Sequence, residues 1–200
     1  MRQLVVIEFL TLDGVMQGLG SPDEDRDGGF DHGGWAAGYG DDVLAEAAAA
    51  GMADTTGYLF GRRTYDSMAA FWPHLPDTNP MAAHLTATPK YVATRTPAEL
   101  TWRNAQVLEG DLASSVAGLL SQGTGTLAVM GSGVLVQELI AHDLVDGYRL
   151  FVHPLLLGTG KRLFRGADRP QRLRLESSTT TTTGVLLLDY AVVRADTAGA

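Results

Sequence analysis

The feature that most constrains the fold of this chain is a succession of short apolar runs, most of them followed by a segment of helical character. Examples are LVVIEF at residues 4–9, LAVM at residues 127–130 and GYRLFV at residues 147–152. Runs of this length are typical of buried strands. Strands that alternate with helices favour a parallel sheet, because each crossover helix returns the chain to the same edge. We therefore predict one α/β domain with a mostly parallel mixed sheet.

The C-terminal part of the chain has a different pattern. Residues 177–193 read SSTTTTTGVLLLDYAVV, in which β-branched threonines precede Gly184 and an apolar run follows it. Threonine suits a β-surface and glycine suits a turn, so this stretch predicts an antiparallel hairpin at one edge of the sheet. Residues 195–200 are expected to form a frayed tail. The prediction is a single domain over residues 1–200, with an ordered core from about residue 3 to residue 194.

Composition excludes several classes of function. The 200 residues carry a net charge of −8, which argues against nucleic acid or an anionic membrane as the main partner. The chain has no cysteine, so it has neither disulfides nor a thiolate metal site. No histidine pair has helical metal-ligand spacing, and we expect no bound metal. No run is long enough for a spanning helix or a signal peptide, so we expect a cytoplasmic protein.

One apolar run ends in a glycine that is followed by cations and a hydroxyl. Residues 58–67 read YLFGRRTYDS, a short strand that runs into Gly61, Arg62, Arg63 and Thr64. Backbone N–H groups at the start of a helix attract anions, and glycine lets the backbone approach a phosphate closely. Taken alone, the stretch is equally compatible with an ordinary surface turn.

Two further strand ends repeat this chemistry. LAVM runs into Gly131-Ser132-Gly133 before a helical segment, and KYVATR ends a strand with Thr94 and Arg95. In open α/β sheets ligands bind beyond the carboxyl ends of the parallel strands, where these three segments would meet. Together they predict a site for a dinucleotide with several phosphates. Val136 replaces the third glycine of the usual GxGxxG fingerprint, so an ordinary Rossmann site is not indicated.

Five segments of the chain resemble the dihydrofolate reductase superfamily, in particular the branch of the C-terminal reductase domain of the riboflavin-biosynthesis bifunctional deaminase-reductase. In family order, and over nearly the whole chain, they are LDGVMQG (12–18), GRRTYDS (61–67), VATRT (92–96), VMGSGVLVQELI (129–140) and RLFVHPLLLGTGKRLF (149–164). The resemblance implies a three-layer fold with helices on both faces of the sheet.

The resemblance also implies NADPH as cofactor and assigns residues to it. Gly61, Arg62 and Thr64 would hold phosphates, and Thr94 and Arg95 would lie near the adenosine 2′-phosphate. The later turn would lie under the pyrophosphate and the nicotinamide. It comprises Gly131, Ser132, Gly133 and Val134, with Leu135 as a neighbour.

Candidates for catalysis and substrate binding are less sharply defined. By resemblance, Asp42 matches a carboxylate that lies at the start of the helix after the long loop. Asp42 would then be a general acid or a substrate anchor, or it would only cap the helix. Asp13 would lie beside the nicotinamide end of the cleft as a catalytic or substrate-pocket residue, or it only forms a turn. Trp35, in the glycine-rich loop 18–40, either lines a ring-binding pocket or pins that loop. The enlarged loop argues against folate itself as substrate.

The function expected from these observations is an NADPH-dependent reductase that transfers a hydride to a small heterocyclic, pterin-like or pyrimidine-like substrate. Such a chain would be a stand-alone relative of the riboflavin-pathway reductase domain. The alternative is a nucleotide-binding or interaction module that kept the fold without catalysis. The resemblance also implies a homodimer, formed through the sheet edge or through the HPLLLGTG region at residues 153–160.

Overall fold

The computed structural model describes residues 1–76, 78–96, 99–165 and 170–194. The predicted tail at residues 195–200 lies outside this part of the chain. In chain order the strands and helices are β1 (Gln3–Thr11), α1 (Asp42–Ala53), β2 (Thr55–Gly61), α2 (Arg62–Phe71), α3 (Pro80–Ala87), β3 (Lys90–Ala93), β4 (Ala105–Val107), α4 (Leu112–Ser121), β5 (Thr126–Met130), α5 (Gly133–Ala141), β6 (Gly147–His153), β7 (Arg172–Thr180) and β8 (Leu186–Val193).

The described strands form one sheet in the order β4-β3-β2-β5-β1-β6-β8-β7. All pairings among β1 to β6 are parallel, whereas β8 runs antiparallel to both β6 and β7. The predicted mixed sheet with a C-terminal antiparallel hairpin is therefore confirmed. Gly184 lies in the turn between β7 and β8 with a φ of 85°, a conformation that favours glycine.

Alternating side chains of the central strands pack on opposite faces of the sheet. On β1, Leu4 and Val6 belong to the core that contains the buried residues of α4 and α5. Ile7, the next residue, packs instead on the core that contains Tyr65 of α2 and Leu85 of α3. Since successive side chains of a strand point to opposite faces, these two cores place helices on both sides of the sheet.

The helix α1 packs near the antiparallel edge of the sheet. Its residues Leu44 and Ala47 contact a small apolar cluster that includes Phe151 of β6 and Leu187 of β8. Arg149 of β6 donates to Asp189 of β8 at 2.6 Å on the same part of the sheet. Among the described residues no helix is long and apolar enough to cross a membrane.

The long loop at residues 18–40 is fastened to the body of the domain by polar contacts. The buried Gln17 side chain donates to the backbone oxygens of Asp25 and Asp27, at 3.2 Å and 3.0 Å. Lys161 donates to the carboxylates of the same two aspartates, at 2.6 Å and 2.9 Å. The loop therefore has a defined course beside the end of β1.

Candidate functional site

The carboxyl edge of the sheet has a gap above β5. Met130, the last residue of β5, pairs with Ile7 of β1, but β1 continues beside β6 as far as the pair Thr11 and His153. The β1 segment 8–11 therefore has no neighbour on its β5 side among the described strands. We call this gap the β5 notch. The turn Gly131–Gly133 forms its floor, β1 segment 8–11 lies on one side, and the start of α2 lies on the other.

Two of the predicted cofactor segments meet at this notch. The backbone N–H of Gly61 donates to the hydroxyl oxygen of Ser132 at 2.9 Å, which joins the end of β2 to the turn after β5. A Cβ atom on Gly131 would lie 3.1 Å from the Thr64 methyl group, so Thr64 packs closely over that turn. Ser132 has a φ of 62°, a left-handed conformation that costs a non-glycine residue about 1 kcal/mol. The turn is thus held in a fixed, slightly strained shape.

The helices that begin at the notch differ from the others at their N-termini. Asp41, Asn79 and Asp111 cap α1, α3 and α4 through side-chain hydrogen bonds. Gly61 and Ser132 precede α2 and α5, and neither supplies a side-chain cap. The first N–H groups of a helix have no partner within the helix and carry partial positive charge. Of the five α-helices in the described chain, the two at the notch are thus left without a side-chain cap.

Arginines surround the predicted phosphate region, and each has an internal carboxylate partner. Arg62 Nε donates to both carboxylate oxygens of Asp66 at 2.8 Å within α2. Arg95, after β3, donates to Glu138 of α5 at 2.7 Å, and its side chain is 89% exposed. Exposed ion pairs of this kind contribute little stability, so an incoming phosphate can compete for the guanidinium groups at small cost.

The remaining predicted cofactor residues lie on the same edge. The Thr94 hydroxyl donates to the Thr96 carbonyl at 3.0 Å in the turn after β3. Val134, in the first turn of α5, is 77% exposed, whereas Leu135 is buried in the core below the notch. The structure therefore brings all three predicted strand ends to one edge. Their contact with a cofactor stays a prediction.

Asp13 lies in the turn after β1 with both carboxylate oxygens bonded. Oδ1 accepts from the Thr11 hydroxyl at 2.6 Å and from the Leu157 N–H at 3.2 Å. Oδ2 accepts from the Gly158 N–H at 2.8 Å and from Arg162 at 3.2 Å. The hydrogen bond from Thr11, together with those from the loop and from Arg162, lowers the pKa of Asp13 to about 2. An ionised carboxylate in this environment can anchor the 157–162 segment but is a poor proton donor at neutral pH.

Asp42 is exposed in the first turn of α1 and does not cap the helix. The cap is its neighbour Asp41, whose carboxylate accepts from the Leu44 N–H at 2.8 Å. The second carboxylate oxygen of Asp41 accepts from the N–H and the hydroxyl of Thr182, in the turn between β7 and β8. The cap interpretation thus applies to Asp41, and a catalytic role of Asp42 stays a prediction.

Trp35 fixes the long loop against the domain. Its ring N–H donates to the Gln17 carbonyl at 2.7 Å, and the side chain is 8% exposed. The ring also packs edge-on against His153, with centroids 5.0 Å apart. These contacts agree with the loop-pinning interpretation, and contact with a substrate stays a prediction.

Two features of the site were missed by the sequence reading. Glu8 is a buried carboxyl group in the β1 segment 8–11, and burial raises its pKa to about 8. Asp27, in the long loop, contacts Arg63 of α2 at 2.6 Å. A glutamate within an apolar run was a visible signal for Glu8, whereas the Asp27–Arg63 contact joins segments that are distant in the chain.

Two cavities flank the end of β1. A polar cavity of about 550 Å³ lies between the long loop and the segment 159–165, with Gln17, Phe30 and Lys161 among its lining residues. A small apolar cavity of about 30 Å³ lies between α1 and the sheet, lined by Phe9, Met130 and other side chains. The first has the size of a small-molecule site. In the described chain, no group of three or more histidine or carboxylate side chains could hold a metal ion.

Solved structures share this fold over nearly the whole chain. A protein from Shewanella sp. PV-4 named for riboflavin biosynthesis is 22% identical, with a TM-score of 0.71, and the alignment covers 96% of this chain and 99% of that one. A pyrimidine reductase-like protein from Corynebacterium diphtheriae has a TM-score of 0.61 at 11% identity, with 97% and 93% covered. Dihydrofolate reductase from Enterococcus faecalis, complexed with NADP(H) and RAB-propyl, has a TM-score of 0.57 at 14% identity, with 95% and 94% covered.

Sequence comparison gives the family. The uncharacterized protein YyaP of Bacillus subtilis (strain 168) is 29% identical over 135 residues, which are 66% of this chain and 71% of YyaP. The model of the RibD C-terminal domain matches residues 2–187. The fold, the order of the motifs and this match agree with the resemblance stated above, and the chain belongs to the RibD C-terminal domain family.

Proposed function

We propose that this protein is an NADPH-dependent reductase that transfers a hydride to a small heterocyclic, pterin-like or pyrimidine-like substrate. Its family and its structural neighbours support membership of a reductase family. The observation that carries the proposal is the pair of uncapped helix N-termini, α2 and α5, on the two sides of one notch. Unpaired N–H groups at these positions suit the phosphates of a dinucleotide.

The chain has residues that fit the parts of such a cofactor. Gly61 and Gly131 let the two turns pack closely, since a Cβ atom on Gly131 would lie 3.1 Å from the Thr64 methyl group, and this packing brings both helix N-termini to one notch. Arg62 and Arg95 are surface cations whose present partners are exposed carboxylates. A guanidinium group binds a phosphate by paired hydrogen bonds, which favours a dinucleotide with a 2′-phosphate.

NADPH supplies the hydride when it is bound, and the protein must then orient the ring and exclude water. The Gly131–Gly133 turn, which is joined to the end of β2 by the Gly61–Ser132 hydrogen bond, would form the floor for the ring end of the cofactor. Asp13 holds Leu157, Gly158 and Arg162 in place beside the end of β1, and Trp35 holds the long loop there. These residues shape the cleft in which the heterocycle would bind.

The test of this proposal is NADPH oxidation by the purified protein with pterin, quinone and nitro-heterocycle acceptors. The wild type should oxidise NADPH with at least one acceptor. The double variant Arg62→Ala, Arg95→Ala should raise the KM for NADPH about ten-fold or more, because it removes two phosphate partners. Arg174→Ala is the matched control, since Arg174 lies on β7 at the far edge of the sheet. NADPH binding without turnover on any acceptor would instead favour the nucleotide-binding module.

A further inference from the structure

Glu8 is a buried carboxyl group for which the proposed function gives no use. Its side chain is 5% exposed, and it lies in β1 beside the β5 notch. One carboxyl oxygen, Oε1, accepts from the Phe9 backbone N–H at 3.3 Å. The other, Oε2, is shielded from solvent and has no hydrogen-bond partner among the residues that the structure describes. A buried polar atom without a partner is costly, so its retention requires an explanation.

The position of Glu8 relates it to the ring end of the predicted cofactor site. Ile7 is the last β1 residue that pairs with β5, so Glu8 is level with Gly131 at the floor of the notch. Glu8 alternates with Ile7 and therefore lies on the sheet face of Val6 and Leu10, which pack with α5 residues. The carboxyl group is thus on the α5 side of the notch, beside the turn that opens α5.

The chemical state of Glu8 adds a donor to this position. Burial, together with the negative charge of Glu24, raises the pKa of Glu8 to about 8, so the carboxyl group is protonated at neutral pH. A protonated carboxyl group offers one O–H donor and one carbonyl acceptor side by side. A primary carboxamide offers the complementary pair, an N–H donor beside a carbonyl acceptor.

We propose that Glu8 binds the carboxamide of the cofactor's nicotinamide ring through Oε2, the carboxyl oxygen without a partner in the described part of the chain. The proposal rests on the proposed function, because it requires a nicotinamide dinucleotide in the β5 notch. Glu8 would then fix which face of the ring is turned toward the substrate. This assigns to the ring end of the site a side chain from β1, in addition to the backbone turn after β5.

Access to Glu8 requires movement of covering side chains. The Met16 sulfur would lie 2.8 Å from a Cβ atom on Gly133, so Met16 covers the turn at the start of α5. Methionine has a flexible, unbranched side chain that changes rotamer at low cost. A shift of Met16 from the turn is the smallest change that would open this part of the notch.

The experiment compares two ligands, NADPH and 2′-phospho-ADP-ribose, which lacks the nicotinamide, in binding titrations. We expect Glu8→Leu to weaken NADPH binding about ten-fold and to leave 2′-phospho-ADP-ribose binding within about two-fold. Glu8→Gln, which keeps one donor and one acceptor, should bind NADPH within about three-fold of the wild type. Thr55→Val is the control, because Thr55 is equally buried but lies at the amino end of β2.

The outcomes separate this inference from the proposed function. NADPH binding by Glu8→Leu with wild-type affinity would overturn the role of Glu8 and leave the proposed function intact. Equal losses for both ligands would also overturn it, since Glu8 would then act through the fold. If the wild type bound neither ligand, the proposed function itself would fail.

Discussion

At the scale of single residues, two carboxyl groups at the end of β1 have opposite environments. Asp13 is bonded on both oxygens and its pKa is lowered to about 2, whereas burial raises the pKa of Glu8 to about 8. Environment therefore decides which of the two can carry a proton at neutral pH. Asp13 suits the role of an anchor, and Glu8 suits the role of a neutral hydrogen-bonding group.

The first prediction concerns Glu8 and pH. Its pKa in the folded protein, about 8, lies above its ordinary value of 4.5, so the folded state holds this proton more tightly than the unfolded state. The contribution of Glu8 to stability should therefore fall as pH rises from about 4.5 to about 8, by about 5 kcal/mol at most. Thermal melts at both ends of this pH range measure the effect. Between the lower and the higher pH, the Tm should fall less for Glu8→Gln than for the wild type. A loss of Tm that is the same in both proteins would contradict the prediction.

The second prediction concerns Asp13. Asp13→Asn removes charge-assisted bonds to the 157–158 backbone and to Arg162, so it should lower the free energy of unfolding by about 1 kcal/mol or more. Urea unfolding at neutral pH measures this, with the exposed Asp42→Asn as the control. The difference in the free energy of unfolding between the wild type and Asp13→Asn should disappear as pH falls toward about 2, because the Asp13 carboxylate is then protonated. Equal stability of the two variants at neutral pH would show that Asp13 is not an anchor.

At the scale of elements, the long loop crosses the front of the notch. Asp27 contacts Arg63 of α2 at 2.6 Å and Lys161 at 2.9 Å through the same carboxylate oxygen. Because β5 lies between β2 and β1 in the sheet, these contacts reach across the end of β5. The carboxylate is therefore placed where an incoming phosphate would meet Arg63.

The third prediction follows from this contact. Asp27→Asn removes an exposed, weak ion pair and frees Arg63, so the association rate of NADPH should rise about two- to five-fold at low salt. The difference should shrink at high salt, as stopped-flow fluorescence would show. Asp31→Asn is the control in the same loop, since Asp31 contacts only His32 among the ion pairs described, at 3.4 Å. A slower association for Asp27→Asn would mean that the loop assists binding.

Much at this scale was predictable from the sequence. Apolar runs and glycines located the central strands and the turns at Gly61 and Gly131, because a buried strand and a tight turn each require particular residues. The helix α2 begins directly after Gly61, at Arg62, with Gly61 as its N-cap. The course of the loop was not predictable, since it depends on contacts such as Gln17 with Lys161. The unpaired state of Glu8 Oε2 was likewise not predictable, since it depends on which side chains of the folded chain pack around it.

At the scale of the whole molecule, the sheet ends in an exposed edge. β7 is exposed along its length, and among the described strands it pairs only with β8. Leu173 and Leu175 are 38% and 50% exposed on this strand. An open edge with exposed leucines is suited to pairing with a second chain.

The fourth prediction is a homodimer that forms through this edge. Light scattering after size exclusion should give the mass of two chains for the wild type. The double variant Leu173→Glu, Leu175→Glu should shift the mass toward one chain, because charges would be buried at the contact. Ala117→Glu is the control, because Ala117 is exposed on α4, which connects β4 to β5 away from the β7 edge. A one-chain mass for the wild type across the accessible concentration range would contradict the prediction.

For the molecule as a whole, we propose that three strand ends and two uncapped helices form a site for a dinucleotide with a 2′-phosphate. The most direct test is a fluorescence titration of the wild-type protein with NADPH and, in parallel, with NADH. We expect saturable binding of both, with NADPH about ten-fold tighter or more, because arginines such as Arg95 would pair with the additional phosphate. Equal affinities for the two cofactors, or no binding of either, would contradict it.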